Sequence, residues 1–178
     1  MIAILSLISL PTHLASYREQ GILRRMSTTP VPPSWMLAAQ VVINLALAVA
    51  ALAILIVTAT AGFGVGAPRS PGGFTVALIL TIAAMFGIGL WISAIARTAG
   101  VIGQLFLYPL LFFAGLWFPQ ERMPSVLRHI SQWSPLGASV HALQDSMHGT
   151  FPSAVSLLVL AGWAVLFGML AVRFFRWE

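Results

Sequence analysis

The chain has 178 residues, 59% of them hydrophobic and only 7% charged. A soluble domain is about a quarter charged, so an ordinary water-soluble fold is excluded, and so is disorder, which needs low hydrophobicity and high net charge. The net charge is +5 and all nine cations are arginine; without lysine or cysteine the chain holds no Walker A phosphate loop, Schiff-base lysine, disulfide or thiolate metal site.

A bilayer core about 30 Å thick needs about 20 mostly apolar helical residues to cross it. The first apolar run, residues 1–14, reaches only about 21 Å as a helix. It lacks the basic start of a secretory signal and is interrupted by Pro11, so it reads as the last half of a span that begins before Met1. Residues 17–27 come next, as an amphipathic cytoplasmic helix. Glu19, Ile22, Leu23 and Met26 fall on one face, Arg18, Gly21 and Arg25 on another, with Tyr17 opening the segment and Arg24 beside the arginine face. Such a helix lies along the membrane surface, docks on a soluble partner through arginine–carboxylate pairs, or serves only as a positive-inside anchor. Pro30, Pro32 and Pro33 end it, and Ser34 offers an N-cap to the first full span.

Four segments qualify as full spans: 35–61, 74–96, 99–118 and 153–172. Residues 62–73, with Pro68 and Pro71, form an external loop, and Arg97, Thr98 and Gly100 a tight cytoplasmic turn. Residues 119–152 are external. Within them Pro124 starts a short helix with Val126, Leu127, Ile130 and Trp133 on one stripe and Ser125, Arg128, His129, Ser131 and Gln132 pointing away. It lies flat on the outer interface or dips into the membrane, as a lid over an exit path or as packing that closes the bundle.

Arginine placement orients the spans. With residues 15–34, 97–98 and the C-terminus cytoplasmic, Arg18, Arg24, Arg25, Arg97, Arg173 and Arg176 lie inside, against Arg69, Arg122 and Arg128 outside, as the positive-inside rule requires. Five tryptophans fall near span ends or in the interface; Trp163 alone sits mid-span. The arginines are scattered singly between apolar runs, which marks topology and not a nucleic-acid surface. The reading is an all-α polytopic bundle in the cell membrane.

The span interiors hold no Asp, Glu, Lys or Arg. Proton- or ion-driven carriers place ionisable groups there, so transport by this chain needs an outside energy source. Asn44 and Gln104 are the strongest polar groups at membrane depth, suited to interhelical hydrogen bonding or to contact with a substrate. His141, Asp145 and His148, at i, i+4 and i+7, would give one helix face two imidazoles and a carboxylate for a metal-dependent membrane enzyme, or simply a wet polar face. A third reading is a non-transporting scaffold or regulatory fragment of a permease, associating through small-residue pairs such as Ala46/Ala50 or Ala83/Gly87.

Three blocks resemble the membrane subunits of ABC-2 type exporters, the permeases that include daunorubicin-type drug exporters and polysaccharide exporters. They are Tyr17-Arg-Glu-Gln-Gly-Ile-Leu-Arg-Arg-Met-Ser-Thr-Thr-Pro30, Gly87-Ile-Gly-Leu-Trp-Ile-Ser-Ala-Ile-Ala-Arg-Thr98 and Phe113-Ala-Gly-Leu-Trp-Phe-Pro-Gln-Glu-Arg-Met-Pro124, continuing through Trp133-Ser-Pro-Leu136 to Asp145 and Gly149. Ala114 and Gln144 stand where that family often has serine and arginine. The resemblance implies six spans per subunit, two permease subunits as a homodimer or heterodimer, and two separate ATP-binding subunits. It makes 17–27 the coupling helix, with Tyr17, Arg18, Glu19, Gly21, Arg24 and Arg25 facing the ATPase. It places no cofactor on this chain, ATP and Mg belonging to the partner, and implies outward movement of a hydrophobic drug-like or lipid-like substrate.

Overall fold

A computed structural model describes residues 1–19, 34–64, 66, 68–95, 99–117 and 124–174. Every element among them is helical: α1 (Ile2–Ile4), a π-helical turn (Leu5–Ser9), α2 (Leu10–Glu19), α3 (Ser34–Phe63), α4 (Pro71–Ile95), α5 (Ala99–Phe113), α6 (Ser125–Trp133), α7 (Pro135–His148) and α8 (Ala154–Phe174). Three helices are long and apolar enough to cross a membrane, in the ranges Ala38–Phe63, Pro71–Ile95 and Ala154–Phe174. The chain is a multi-pass membrane protein with an all-α fold.

The helix expected over 99–118 is shorter. α5 has 15 residues, about 22 Å, and ends at Phe113. The stop is a glycine in the left-handed region, Gly115 at φ 86°. Its N–H donates to the Phe112 carbonyl at 3.1 Å and the Leu116 N–H to Leu111 at 3.3 Å, the paired bonds of a Schellman cap. A side chain with a Cβ would resist that conformation, so Gly115 decides where the helix stops.

α4 is the axis. Half of its spanning stretch is buried, against 11% for α3. Gly73, Ala77, Thr81, Ala84, Ile88 and Ile92 repeat at helical spacing along its covered face, and between Ala84 and Gly89 it is covered all round. Its most extensive interface is with α8. There a Cβ on Gly87 would sit 3.3 Å from the Gly168 amide nitrogen and 3.6 Å from the Ala164 carbonyl, so small residues on both helices permit the close approach. Gly87 thus serves packing within the chain, whereas Ala83, Ala46 and Ala50 are exposed. Buried hydroxyls are satisfied along their own helices: Thr81 donates to the Ala77 carbonyl and Ser93 to the Gly89 carbonyl, both at 2.7 Å.

Pro11 does not break the N-terminal run. Helix continues from Ile2 to Glu19, and the π turn at Leu5–Ser9 comes immediately before the proline. Proline has no N–H, so the carbonyl one turn back loses its donor, and a wider turn accommodates the ring. The freed backbone is used in packing. The Ser6 carbonyl lies against Gly89 of α4 and the Leu7 carbonyl against Gly103 of α5, so close that a Cβ on either glycine would overlap the oxygen. Leu7, buried completely, joins Met85, Ile88, Ile92, Leu107 and Phe167 in the largest core cluster. The N-terminal helix is therefore wedged between α4 and α5.

α6 and α7 form a hairpin that re-enters the bundle. The Trp163 indole N–H, about 14 Å along α8 from Ala154, donates to the Trp133 carbonyl at 3.0 Å. From that depth α7 climbs back along α4 and α8, burying Ala138 and Ala142 against Ala77, Ala84 and Leu160. Its outer end meets the start of α4, where the Ser70 N–H donates to the Ser146 carbonyl at 3.1 Å. The corner of the hairpin therefore lies beside the middle of α8 and not at its end.

The corner is built locally. Ser134 caps α7, its Oγ accepting from the Gly137 N–H at 3.1 Å and donating to the Ser131 carbonyl at 2.8 Å. Pro135 occupies the first turn, where no N–H is needed, and the Ser131 carbonyl presses on Gly137, leaving no room for a Cβ. At the far end Gly149, φ +94°, closes α7.

Candidate functional site

The re-entrant hairpin roofs a cavity of about 640 Å³ on one flank of the bundle. Ile88 of α4 is its floor; Leu105, Phe106, Pro109, Leu110 and Phe113 of α5 form one wall. Trp163 and Phe167 of α8 form the other, with His129, Ile130 and Trp133 of α6 above and Ser134 and Pro135 at the corner. The volume is that of a drug-sized ligand site, and such sites are mostly apolar with few polar groups. Leu105 and Trp133, 70% and 57% exposed, stand at the mouth.

The rings on its walls hold one another in place. Trp163 and Phe167, i and i+4 on α8, stack at 5.2 Å with an interplanar angle of 10°. Trp91 presents edges to Phe167 at 5.0 Å and to Phe106 at 6.4 Å. The Nε1 of Trp91 is buried without a hydrogen-bond partner among the described residues. The roof is tied to both walls: Ser131 Oγ donates to the Phe113 carbonyl of α5 at 2.5 Å, and Trp163 of α8 donates to the Trp133 carbonyl. Each bond also reaches a carbonyl at a helix C-terminus, where the intrahelical ladder runs out.

The residues singled out from sequence do not converge on this cavity. Tyr17, Arg18 and Glu19 close α2, while Gly21, Arg24 and Arg25 lie outside the described residues. Asn44 is 1% exposed, and its amide donates along its own helix to the Gln40 carbonyl at 2.9 Å; its Oδ1 is buried without a partner among the described residues. Gln104 is on an exposed face of α5. Among the described residues neither forms the interhelical bond that polar residues at membrane depth suggest.

The metal constellation is corrected. Among the described residues no group of three His, Cys, Asp or Glu side chains stands close enough to hold an ion. His148 is exposed and two turns, about 10.5 Å, from the half-buried His141. Asp145 instead organises the loop into α8: its Oδ2 accepts from the Ser153 N–H at 3.3 Å, and its carbonyl accepts the Thr150 hydroxyl at 2.9 Å. Burial pushes the His141 imidazole below its ordinary value, opposed by the Asp145 carboxylate and reinforced by the Arg128 guanidinium.

Sequence reading missed the cavity because its lining comes from five separate helices. One signal was present, the isolated mid-span position of Trp163, together with Phe167 one turn on.

Comparison with known proteins bears on the same features. The sequence model of the ABC-2 type transporter family matches residues 1–148. The daunorubicin resistance ABC transporter permease protein DrrB1 of Streptomyces coeruleorubidus is 27% identical over 121 residues, covering 61% of this chain and 42% of that protein. The chain therefore spans less than half the length of that relative. No solved structure matches it. With its first 148 residues matched by one family model, this chain belongs to the ABC-2 type transporter family.

Proposed function

We propose that the chain acts as a permease subunit of an ATP-driven exporter, moving hydrophobic drug-like or lipid-like molecules outward by alternating access. The observation that carries this reading is the apolar cavity in a bundle whose spans hold no formal charge, in a chain of the ABC-2 family. Such a bundle has no ionisable relay of its own to couple to an ion gradient. A separate ATP-binding subunit, holding ATP and Mg, supplies the drive, and the chain is a transport component and not an enzyme. The permease pairs with a second copy or a related subunit.

Residues 17–27 are the proposed contact with the ATPase, through Tyr17, Arg18, Glu19, Gly21, Arg24 and Arg25. What supports this is the route of force. The segment continues from α2, and the π turn above α2 is wedged against Gly89 of α4 and Gly103 of α5. Ile88, one residue from Gly89, is the cavity floor, and Leu105 on α5 is at its mouth. A push on the cytoplasmic segment thus reaches two walls of the cavity through backbone contacts. The α6–α7 hairpin acts as the lid.

Co-purification with a co-expressed ABC ATP-binding subunit of an ABC-2 exporter tests the reading. The wild-type chain captures it, and Arg18→Glu/Arg24→Glu/Arg25→Glu loses capture. Equal capture by both would remove the coupling role of the segment.

A further inference from the structure

Trp133 and Trp163 each face two hollows. One is the cavity; the other is a separate groove of about 390 Å³ along α8. Gly162 and the buried Val159 form its floor, and Leu158 and Leu166, 72% and 53% exposed, form its outer rim. A Cβ added at Gly162 would meet nothing within 4 Å, so the floor is open there. The groove runs from Val155 to Leu166, about 16 Å along the helix. It begins one residue inside α8, which is long and apolar enough to cross a membrane. Its length is thus that of one leaflet, since half of the hydrocarbon core is about 15 Å.

The lining decides what can fill it. Water needs two to four polar partners, but only the two indoles among these side chains carry a polar atom, and the Trp163 N–H is already given to the Trp133 carbonyl. A second transmembrane helix does not fit either. Close helix approach needs small residues a turn apart, and Gly162 has Leu158 one turn before it and Leu166 one turn after. A polymethylene chain is thin enough to lie along the floor, between the leucine rim and the two indoles, and touches protein on several sides. On the exposed aliphatic face of α3, at Val42, Leu47, Ile54 and Val57, it touches protein on one side only. Dispersion attraction grows with the number of touching atoms, so the groove holds a chain more firmly than that face does.

We infer that one acyl chain of a bilayer phospholipid is seated in this groove as a resident part of the fold, its methylenes along Val155–Leu166 and against the backs of Trp133 and Trp163. The seated lipid completes the wall between cavity and bilayer. It also presses the α6–α7 corner onto α8 where the Trp163 N–H meets the Trp133 carbonyl. The site depends only on the protein's crossing a membrane, and neither cargo nor an ATPase enters it.

Photolabelling of the full chain in nanodiscs tests the site. The discs are phosphatidylcholine with a trace of phosphatidylcholine bearing a diazirine midway along one acyl chain, and labelled peptides are mapped. Label is about threefold denser over 155–166 and Trp133 than over the outer face of α3, following the larger number of touching sides. Gly162→Leu, whose side chain occupies the open floor, lowers it to the α3 level, and Gly162→Ala, which fills less, gives an intermediate value. Circular dichroism checks the helicity of both, and the alanine variant decides if leucine is not tolerated. The chain has no cysteine, so Leu158→Cys under mild oxidation reports a second copy on this face, and it forms no disulfide dimer. Equal label density over 155–166 and α3 would overturn the site and leave ordinary lipid contact. Unchanged labelling of both glycine variants with helicity intact would overturn it too, as would a Leu158→Cys dimer formed with label excluded from the groove.

Discussion

The wedge of the N-terminal helix makes a quantitative prediction. Gly89→Ala places a methyl on the Ser6 carbonyl, and Gly103→Ala places one on the Leu7 carbonyl. In both cases the obstacle is backbone, so no rotamer change relieves it, and the N-terminal helix must move away from α4 or α5. Overpacking of this kind costs about 1–3 kcal/mol. Gly162→Ala is the matched control: it too lies inside a helix, and its new methyl meets nothing within 4 Å. There the lower backbone freedom of alanine stabilises by about 0.5–1 kcal/mol. Gly89 and Gly103 lie inside helices too, so that gain is common to all three variants and the expected gap is the overpacking cost alone, about 1–3 kcal/mol, at least about fivefold in the unfolding equilibrium. SDS titration in mixed micelles, followed by circular dichroism, measures it. The double variant Gly89→Ala/Gly103→Ala should cost less than the two singles together, because one displaced helix relieves both clashes. Equal unfolding midpoints for Gly89→Ala, Gly103→Ala and Gly162→Ala would refute the wedge.

Gly149→Ala, forced to φ +94° with its Cβ 3.2 Å from that of Arg69, should cost about 1–2 kcal/mol in the same titration, and Gly149→Asn less. Trp163→Phe keeps the stack on Phe167 but removes the donor to the Trp133 carbonyl; a loss of about 1 kcal/mol should appear as roughly fivefold faster hydrogen exchange around residues 131–137. His141 gives a pH dependence. Burial lowers its folded-state pKa, so the unfolded chain binds the proton more readily. Stability should be full above the ordinary value of 6.5 and fall as pH drops below it; His141→Gln should flatten that slope in unfolding measured between pH 7.5 and 5.

Much of this architecture was legible in the residues. Runs of about 20 apolar residues without charge have few alternatives to spanning helices, since the bilayer leaves every backbone polar group to be satisfied within the helix. The long helices accordingly appear at Ser34–Phe63, Pro71–Ile95 and Ala154–Phe174, close to the expected 35–61, 74–96 and 153–172. The break at Pro135 between two short helices was likewise local, set by the ring and by the Ser134 cap. The stop at Gly115 was not read, and the span was carried on to 118, because a glycine in an apolar run reads equally as packing until its φ is known.

The candidate site was not legible, and the reason is distance along the chain. Trp163, Phe106 and Trp133 are far apart in sequence, and none carries a charge or a spacing that marks a ligand. Of the polar residues that did stand out, Asp145 holds the loop into α8 and His148 lies in the last turn of α7, apart from His141, because a helix face can align side chains without bringing them to one point.

Local chemistry was enough for a charge-free membrane bundle: hydrophobic length and arginine placement act residue by residue against the lipid, and no partner segment is needed to evaluate them. Which carbonyl rests on which glycine, how far along α8 the α6–α7 corner sits, and that five helices leave an aromatic hollow between them emerged only on packing. Those features depend on the shapes of surfaces meeting across the fold, and a gap between helices has no residue of its own to announce it.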